Sequence, residues 1–430
     1  MRVAVIGAGI VGVTTAYELQ CRGHEVTVFE RHGAVAAEAS FANAGIVAPG
    51  YVTPWAAPGM PRKVLAQWFD RHAAVRVAGL PDLTALRWLW RWWRACDTKT
   101  YTANRSVLFA LARESQHRLR EIGAELKLVY ERSRGLLVLL RGDTELRQAR
   151  RWLGLLAELG VDFHLIDAAA CRRIEPALHA DTALKAGIHL ADDEVGNCRQ
   201  FALLLKAEAQ RRGADFRMQH TVQRIEPRPS GVELGVSMLA VDAESTFHAL
   251  GHSGAQPLPP QHFDGVVVCA ALGAAALLAP HRVHLPLLPV YGYSITLPVR
   301  HFEAHPDTGP RAALIDERFK VAISRLGDRV RVAGSAELFG RAGELRRPPI
   351  ETLYHVLDDW FPSAAKRAQG QAWKGARPML PDGPPRVGAS GLPGVWLNLG
   401  HGSSGWALAC GSAVRLAEAM RVDAATAFGR

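Results

Sequence analysis

A strand, a glycine-rich turn, a helix and a second strand fill the first thirty residues, and this order constrains the fold more than any other feature of the chain. Val3-Ala4-Val5-Ile6 is short, apolar and β-branched, as a buried strand requires. Gly7-Ala8-Gly9-Ile10-Val11-Gly12 follows, a G-x-G-x-x-G. Helical sequence runs from Val13 to Arg22, and Gly23 stands where a helix would stop. Glu25 to Phe29 reads as a second strand that ends in Glu30. In such a unit the first glycine makes the tight turn, the second admits a pyrophosphate to the backbone, and the third lets helix and strand pack closely. The helix N-terminus offers free N–H groups and partial positive charge to phosphate. An acid closing the second strand accepts hydrogen bonds from a ribose. The expected cradle is therefore Val5, Ile6, Gly7, Ala8, Gly9, Ile10, Val11 and Gly12, with Glu30 and Arg31 at the ribose. A secretory signal is not expected, because three glycines and Glu18 interrupt the apolar run. Glycines that serve only packing would leave Glu30 without a purpose.

A chain of 430 residues has room for two domains. Its 6 cysteines form no C-x-x-C pair, which suits a reducing compartment and argues against a disulfide framework or a zinc site. The 17 histidines show no ligand spacing such as H-E-x-x-H, so no metal is expected. The net charge of +10 favours anionic ligands or an anionic surface; no nucleic-acid partner is expected. No apolar run approaches the ~20 residues that span a bilayer.

Small residues follow Glu30, and Ser40, Asn43, Ala44, Gly45 and Ile46 lie in a long early loop of the kind that usually carries function. Lys63 to Ile122 reads as helical. Within it Leu86, Leu89, Trp90 and Trp93 recur at i, i+3, i+4 and i+7, opposite Arg87, Arg91 and Arg94. Tryptophan beside arginine on an amphipathic helix suits a membrane interface; the alternative is a helix packed on its own domain with exposed arginines. Leu126 to Leu140 reads as two strands meeting near Gly135, and Phe216 to Ile225 as a strand with Val222 toward the cofactor layer. Val241 to His262 reads as a surface loop. Phe263 to Gly273 is an apolar strand fit to lie beside the first, with Ala271 and Gly273 near the pyrophosphate. Tyr293 to Leu297, Lys320 to Arg325 and Arg329 to Ala333 suit an antiparallel sheet. Gly375 to Gly383 reads as a rigid loop. Val395 to Leu399 is a strand, and Gly400-His401-Gly402-Ser403-Ser404-Gly405-Trp406 leads into a second glycine-started helix.

Two glycine-rich helix starts imply one cofactor with two ends that need anion stabilisation. FAD fits: its pyrophosphate would sit at Gly7 to Gly12, and the charge on its reduced ring near N1 would meet the helix end at Ser403 to Trp406. The expected fold is α/β with an α+β part: a Rossmann-like FAD-binding domain from residues 1–80, 151–230, 263–288 and 370–430, and a discontinuous antiparallel-sheet substrate domain from 81–150 and 289–369.

These blocks, with Pro49-Gly50-Tyr51, Pro54-Trp55-Ala56-Ala57-Pro58-Gly59 and Cys96-Asp97-Thr98, resemble the D-amino acid oxidase family of flavoproteins nearly end to end. The resemblance implies FAD-dependent oxidative deamination of D-amino acids to 2-oxo acids and ammonia, by hydride transfer from Cα to flavin N5 and hydrolysis of the imino acid. It implies electrons passed to a quinone or another acceptor, with use of oxygen, a cyclic substrate such as D-hydroxyproline, or a flavin-binding module without turnover as alternatives. It assigns the substrate carboxylate to Arg377 of the G-x-R-P segment, for which the competing role is a salt bridge with Asp382. It places Tyr293 against the carboxylate or amine, the competing role being that of a sheet tyrosine, and His401 against the flavin. Tyr291 stands where dehydrogenases of the family tend to carry lysine. A cytoplasmic protein held peripherally on the inner face of the membrane is the expected location.

Overall fold

The computed structural model describes residues 1–66, 70–239, 255–300 and 308–428; counts below refer to these. Two sheets organise the chain, with a small third sheet against the first. The first has six strands in the order Arg386–Ala389, Val395–Leu399, Gly265–Val268, Arg2–Ile6, Glu25–Glu30, Asp215–Met218, all parallel except Arg386–Ala389. Alternation along Arg2–Ile6 decides what covers each face. Val3 and Val5 pack into a core with the helices Ile10–Cys21, Cys198–Arg211 and Gly405–Phe428. Ala4 and Ile6 point the other way, onto the antiparallel sheet formed by His220–Arg228, Gly231–Leu239, Ala255–Pro257 and Gln261–Phe263. The return of the chain to the first sheet after residues 199–212 occurs through Asp215–Met218, parallel to Glu25–Glu30.

The larger sheet has ten strands. Its central run is Gln371–Met379, Leu288–Pro298, Arg329–Leu338, Val321–Leu326, Ala313–Asp316, Ser133–Leu140 and Ala186–Val195. The helix Arg347–Trp360 fills one face through Leu353, Val356, Leu357 and Trp360, and Asp143–Glu158 fills the other through Ala149, Leu153 and Leu156. Short strands Val75–Val77 and His164–Asp167, and the strand Ala186–Val195, are bonded into this sheet although they fall in ranges expected for the FAD-binding domain.

Five local readings change. Residues 63–122 are not helical throughout: Val75–Val77 is a strand paired with Arg329–Leu338, and helix there is confined to the end of Met60–Ala66, to Leu83–Ala95 and to Thr98–Glu125 among the described residues. Residues 126–140 form one strand, Ser133–Leu140, because Gly135 at φ +97° makes an irregularity in the pairing rather than a turn. Residues 216–225 belong to two strands, with Gln219 at φ +60° redirecting the chain between sheets. Of the expected loop 241–262, residues 241–254 lie outside the described residues, while Ala255–Pro257 and Gln261–Phe263 are strands paired with Gly231–Leu239. Most of the expected loop Gly375 to Gly383 is strand, paired with Leu288–Pro298 from Thr296↔Gln371 to Leu288↔Met379.

Candidate active site

A cavity of about 1030 Å³ runs from the first glycine turn to the larger sheet. Every residue expected at the cofactor, with Arg377 and Tyr293, lines it except Val5, Ala8 and Gly12. Gly12 is there for packing: a Cβ would stand 1.8 Å from the Gly7 carbonyl oxygen. Gly7 has φ +100°, and a Cβ would meet the Cys269 carbonyl at 2.9 Å. Gly9 differs, since a Cβ would approach only Ser40 Oγ, at 3.6 Å. Its open side is the approach a pyrophosphate needs. Ser40 Oγ accepts from Ile10 N–H at 3.1 Å, so the loop closes over the helix start. The Glu30 carboxylate accepts from the N–H groups of Ala8 (2.7 Å) and His32 (2.9 Å), which fixes it at the cavity wall.

The two glycine stretches are joined. Gly45, at φ +76°, offers its carbonyl to the Trp406 indole at 3.1 Å and to Gly196 N–H at 2.9 Å. His401 bridges to Met379 at the end of the strand that bears Arg377. Its Nε2 shares a hydrogen bond of 2.9 Å with Ser412 Oγ. Burial pushes His401 down to about 3, so the ring is neutral, and its bond to Ser412 ties the turn to Gly405–Phe428 at the cavity wall. The dimensions fit FAD: a cradle open at Gly9, an acid at the second strand, a second helix start, and a volume at the upper end of small-molecule sites.

Arg377 faces the cavity from Gln371–Met379. Gly292, two strand positions from its partner Val290, makes the space, because a Cβ there would stand 2.3 Å from Arg377 Nη2. Nη1 donates to the Ser335 carbonyl at 2.8 Å. No carboxylate pairs with the guanidinium among the described residues; Asp382, the partner of the competing reading, pairs with Arg386 at 3.3 Å. Burial lowers Arg377 to about 10, leaving it cationic at neutral pH. A half-buried guanidinium with no carboxylate partner at a cavity wall has the charge and free N–H groups that an anion needs.

Tyr293 is tied into the sheet. Its ring reaches the cavity, but the side chain is 1% exposed and its hydroxyl donates to Glu337 Oε2 at 2.8 Å. Glu337 is fully buried and also pairs with Lys374 Nζ at 2.7 Å. Burial, then Glu337, raises the phenol above its ordinary range. Its one O–H donor is thus engaged within the protein, which favours the sheet-tyrosine reading.

The tryptophan helix, Leu83–Ala95, carries two apolar stripes. Ala85, Trp88, Trp92 and Ala95 face inward, with Trp55 against Trp88 and Trp92 at 6.0 and 5.3 Å. The expected apolar stripe faces out, with Leu86, Trp90 and Trp93 exposed and Leu89 half-buried. Residues that the sequence reading missed also line the cavity: Tyr101 and Arg105 on Thr98–Glu125, and Tyr51, whose hydroxyl donates to Glu317 at 2.9 Å. No group of three or more metal-ligating side chains occurs among the described residues.

The family model described as FAD dependent oxidoreductase matches residues 2–419. The chain is 40% identical over 418 residues to the D-amino acid dehydrogenase of Cereibacter sphaeroides, covering 96% of this chain and 90% of that one. It is 39% identical over 415 residues to the D-amino acid dehydrogenase of Rhodopseudomonas palustris, covering 96% and 92%. The glycine oxidase of Geobacillus kaustophilus superposes with a TM-score of 0.71 at 19% identity, over 98% of this chain and 94% of that one. The L-proline dehydrogenase of P. horikoshii does so with 0.67 at 16%, over 98% and 93%. The glycine cradle, the second helix start and a match over nearly the whole length agree: the chain belongs to the D-amino acid oxidase family of FAD-dependent oxidoreductases.

Proposed function

We propose that this protein is a dehydrogenase of D-amino acids, yielding 2-oxo acids and ammonia and passing electrons to a quinone or another acceptor other than oxygen. The observation that carries it is Arg377, a guanidinium without a carboxylate partner, in the same cavity as the glycine cradle. The named relatives support the substrate class.

FAD, when bound, supplies the hydride acceptor. The chain does the rest. N–H groups at the start of Ile10–Cys21 would hold its pyrophosphate past Gly9, and Glu30 its ribose. The start of Gly405–Phe428 would present its positive end to the flavin ring. Arg377 would hold the substrate carboxylate through the in-plane N–H groups that its bond to the Ser335 carbonyl leaves free, which orients Cα. Neutral His401 adds no charge to the ring environment. In anaerobic solution D-amino acids should bleach the visible spectrum of the holoenzyme, and L-enantiomers should not. A spectrum unmoved by any D-amino acid or D-hydroxyproline would leave a flavin-binding module. Peroxide formed in air at the rate of turnover would make it an oxidase.

The outward stripe of Leu83–Ala95 supports peripheral attachment to the inner face of the membrane. Leu83, Leu86, Trp90 and Trp93 are exposed on a helix that also carries exposed Arg87, Arg91 and Arg94, and the net charge is +10. Tryptophans sit at headgroup depth, and each cation near anionic lipid contributes about 1 kcal/mol. No described helix is long and apolar enough to cross a membrane. Anionic liposomes should sediment the protein at low salt and release it at high salt, and Trp90→Ala with Trp93→Ala should weaken the binding without loss of stability. Equal binding by parent and double variant would refute the attachment.

A further inference from the structure

Arg377, half-buried, is not the only arginine without a carboxylate partner at the cavity wall. Arg105 lies on Thr98–Glu125 in the inward row Arg105, Leu108, Ala112, Ser115, Leu119, Ile122, where every other member is apolar or a serine. It is 3% exposed and lines the cavity with Tyr101, one turn before it. Nη1 donates to the Tyr101 hydroxyl at 3.2 Å, and Nη2 is buried with no hydrogen-bond partner. No carboxylate pairs with it among the described residues.

Its position is fixed on both sides. Asn104 donates to the Asp382 carbonyl at 2.9 Å, and Leu108 lies beside Gly383 and Pro54. This turn of helix is therefore seated on the segment that follows the Arg377 strand. A buried guanidinium left unpaired is costly, and arginine does not escape by losing its proton. A fold that keeps one at a cavity wall presents it to whatever enters.

The known claims on the cavity do not use it. The cofactor's phosphates belong at Gly7 to Gly12, and the substrate's α-carboxylate belongs at Arg377. Lys63 and Lys320 line the same space, where the nearby acid, Glu317, is already bonded to Tyr51 and Lys320. A neutral side chain would leave that excess of positive charge unanswered.

We infer that Arg105, with the Tyr101 hydroxyl, is a specificity-determining anchor for a second carboxylate, so that the favoured substrates are D-amino acids with acidic side chains. The inference rests on the D-amino acid reading above. The test compares near-isosteric pairs, D-glutamate with D-glutamine and D-aspartate with D-asparagine, using the holoenzyme and an artificial electron acceptor. Bound FAD, read from visible absorbance, confirms that each variant keeps its site. The parent should favour the acid over the amide by roughly tenfold or more in kcat/KM, the order expected for a charge-assisted hydrogen bond. Arg105→Met should collapse that ratio, and Arg105→Lys should keep part of it. Equal use of acid and amide by the parent would overturn the inference alone. So would an equal fall for both substrates in Arg105→Met with a shifted flavin potential, which would place Arg105 on the flavin. Absence of turnover with every D-amino acid would overturn the functional reading and this one with it.

Discussion

The two ends of the cavity are built from different materials. The dinucleotide end is mostly backbone. Gly7 and Gly12 are fixed by contacts of 2.9 and 1.8 Å that a Cβ would make with carbonyl oxygens, and the polar side chains there are already engaged: Glu30 with two N–H groups, Ser40 with a third. The substrate end is made of side chains carried by elements far apart in sequence, and its cations are left without counter-ions: Arg377 has a carbonyl and Arg105 a tyrosine hydroxyl. One end is complete in its geometry before anything binds. The other is complete in its geometry but not in its charge, and a ligand supplies the missing part.

The largest effect should come from disturbing the end that cannot give. Gly12→Ala forces a methyl into the Gly7 carbonyl, and backbone on both sides leaves no flexible atom to move. The cost should reach roughly 3 kcal/mol or more, with protein recovered free of flavin and inactive. Gly9→Ala sharpens the comparison. Gly9 has φ −65°, which alanine adopts, and the new methyl meets only Ser40 Oγ. That variant should melt with the parent yet lose FAD on dialysis, because the methyl occupies the pyrophosphate approach. Parent-like FAD retention in both variants would break the account of this end.

At the other end Arg377→Ala should leave the fold and the flavin in place. Loss of a hydrogen-bonded charge on the substrate costs about 1.5–3 kcal/mol, a rise in KM of roughly 10- to 150-fold. Unchanged KM with lowered melting temperature would make Arg377 a structural residue.

The same contrast explains what could be read from the sequence. A cradle made by neighbours in sequence leaves a local signature, so Gly7 to Gly12, Glu30 and the turn at Gly400 to Trp406 were legible, as was the parallel sheet around Arg2–Ile6. Site residues that converge from distant strands leave none. Arg377 came through a family likeness, and the segment that carries it was misread as a loop because its glycine and prolines conceal a strand whose register only Leu288–Pro298 reveals. The tryptophan helix stayed open between two readings because two apolar stripes share it, and periodicity cannot say which one is buried. Arg105 did leave a trace, a lone cation in the apolar row of a long helix, but in a stretch read only as helical.

The smallest effect on turnover should come from Tyr293→Phe, and it decides whether Tyr293 belongs to the substrate end at all. The strand Leu288–Pro298 sets Tyr293 opposite Lys374 on Gln371–Met379. Its hydroxyl meets Glu337, which Lys374 also grips; Lys374 Nζ donates besides to the carbonyls of Arg341 and Glu344 at 2.8 and 2.9 Å. Gly340 packs so closely on Glu337 that a Cβ would stand 1.9 Å from Oε1. The phenol is therefore one tie in a buried ionic cluster that holds three strands of the larger sheet together behind Arg377. Removing it leaves a buried carboxylate one hydrogen bond short, at about 1–3 kcal/mol of stability. Arg377 is held independently by Ser335 and by the gap at Gly292, so KM should change by less than about threefold, under 0.7 kcal/mol or so. A lower melting temperature with near-parental KM is the expected pair of results. A tenfold rise in KM at an unchanged melting temperature would return the hydroxyl to the substrate and erase the division between the two ends at this position.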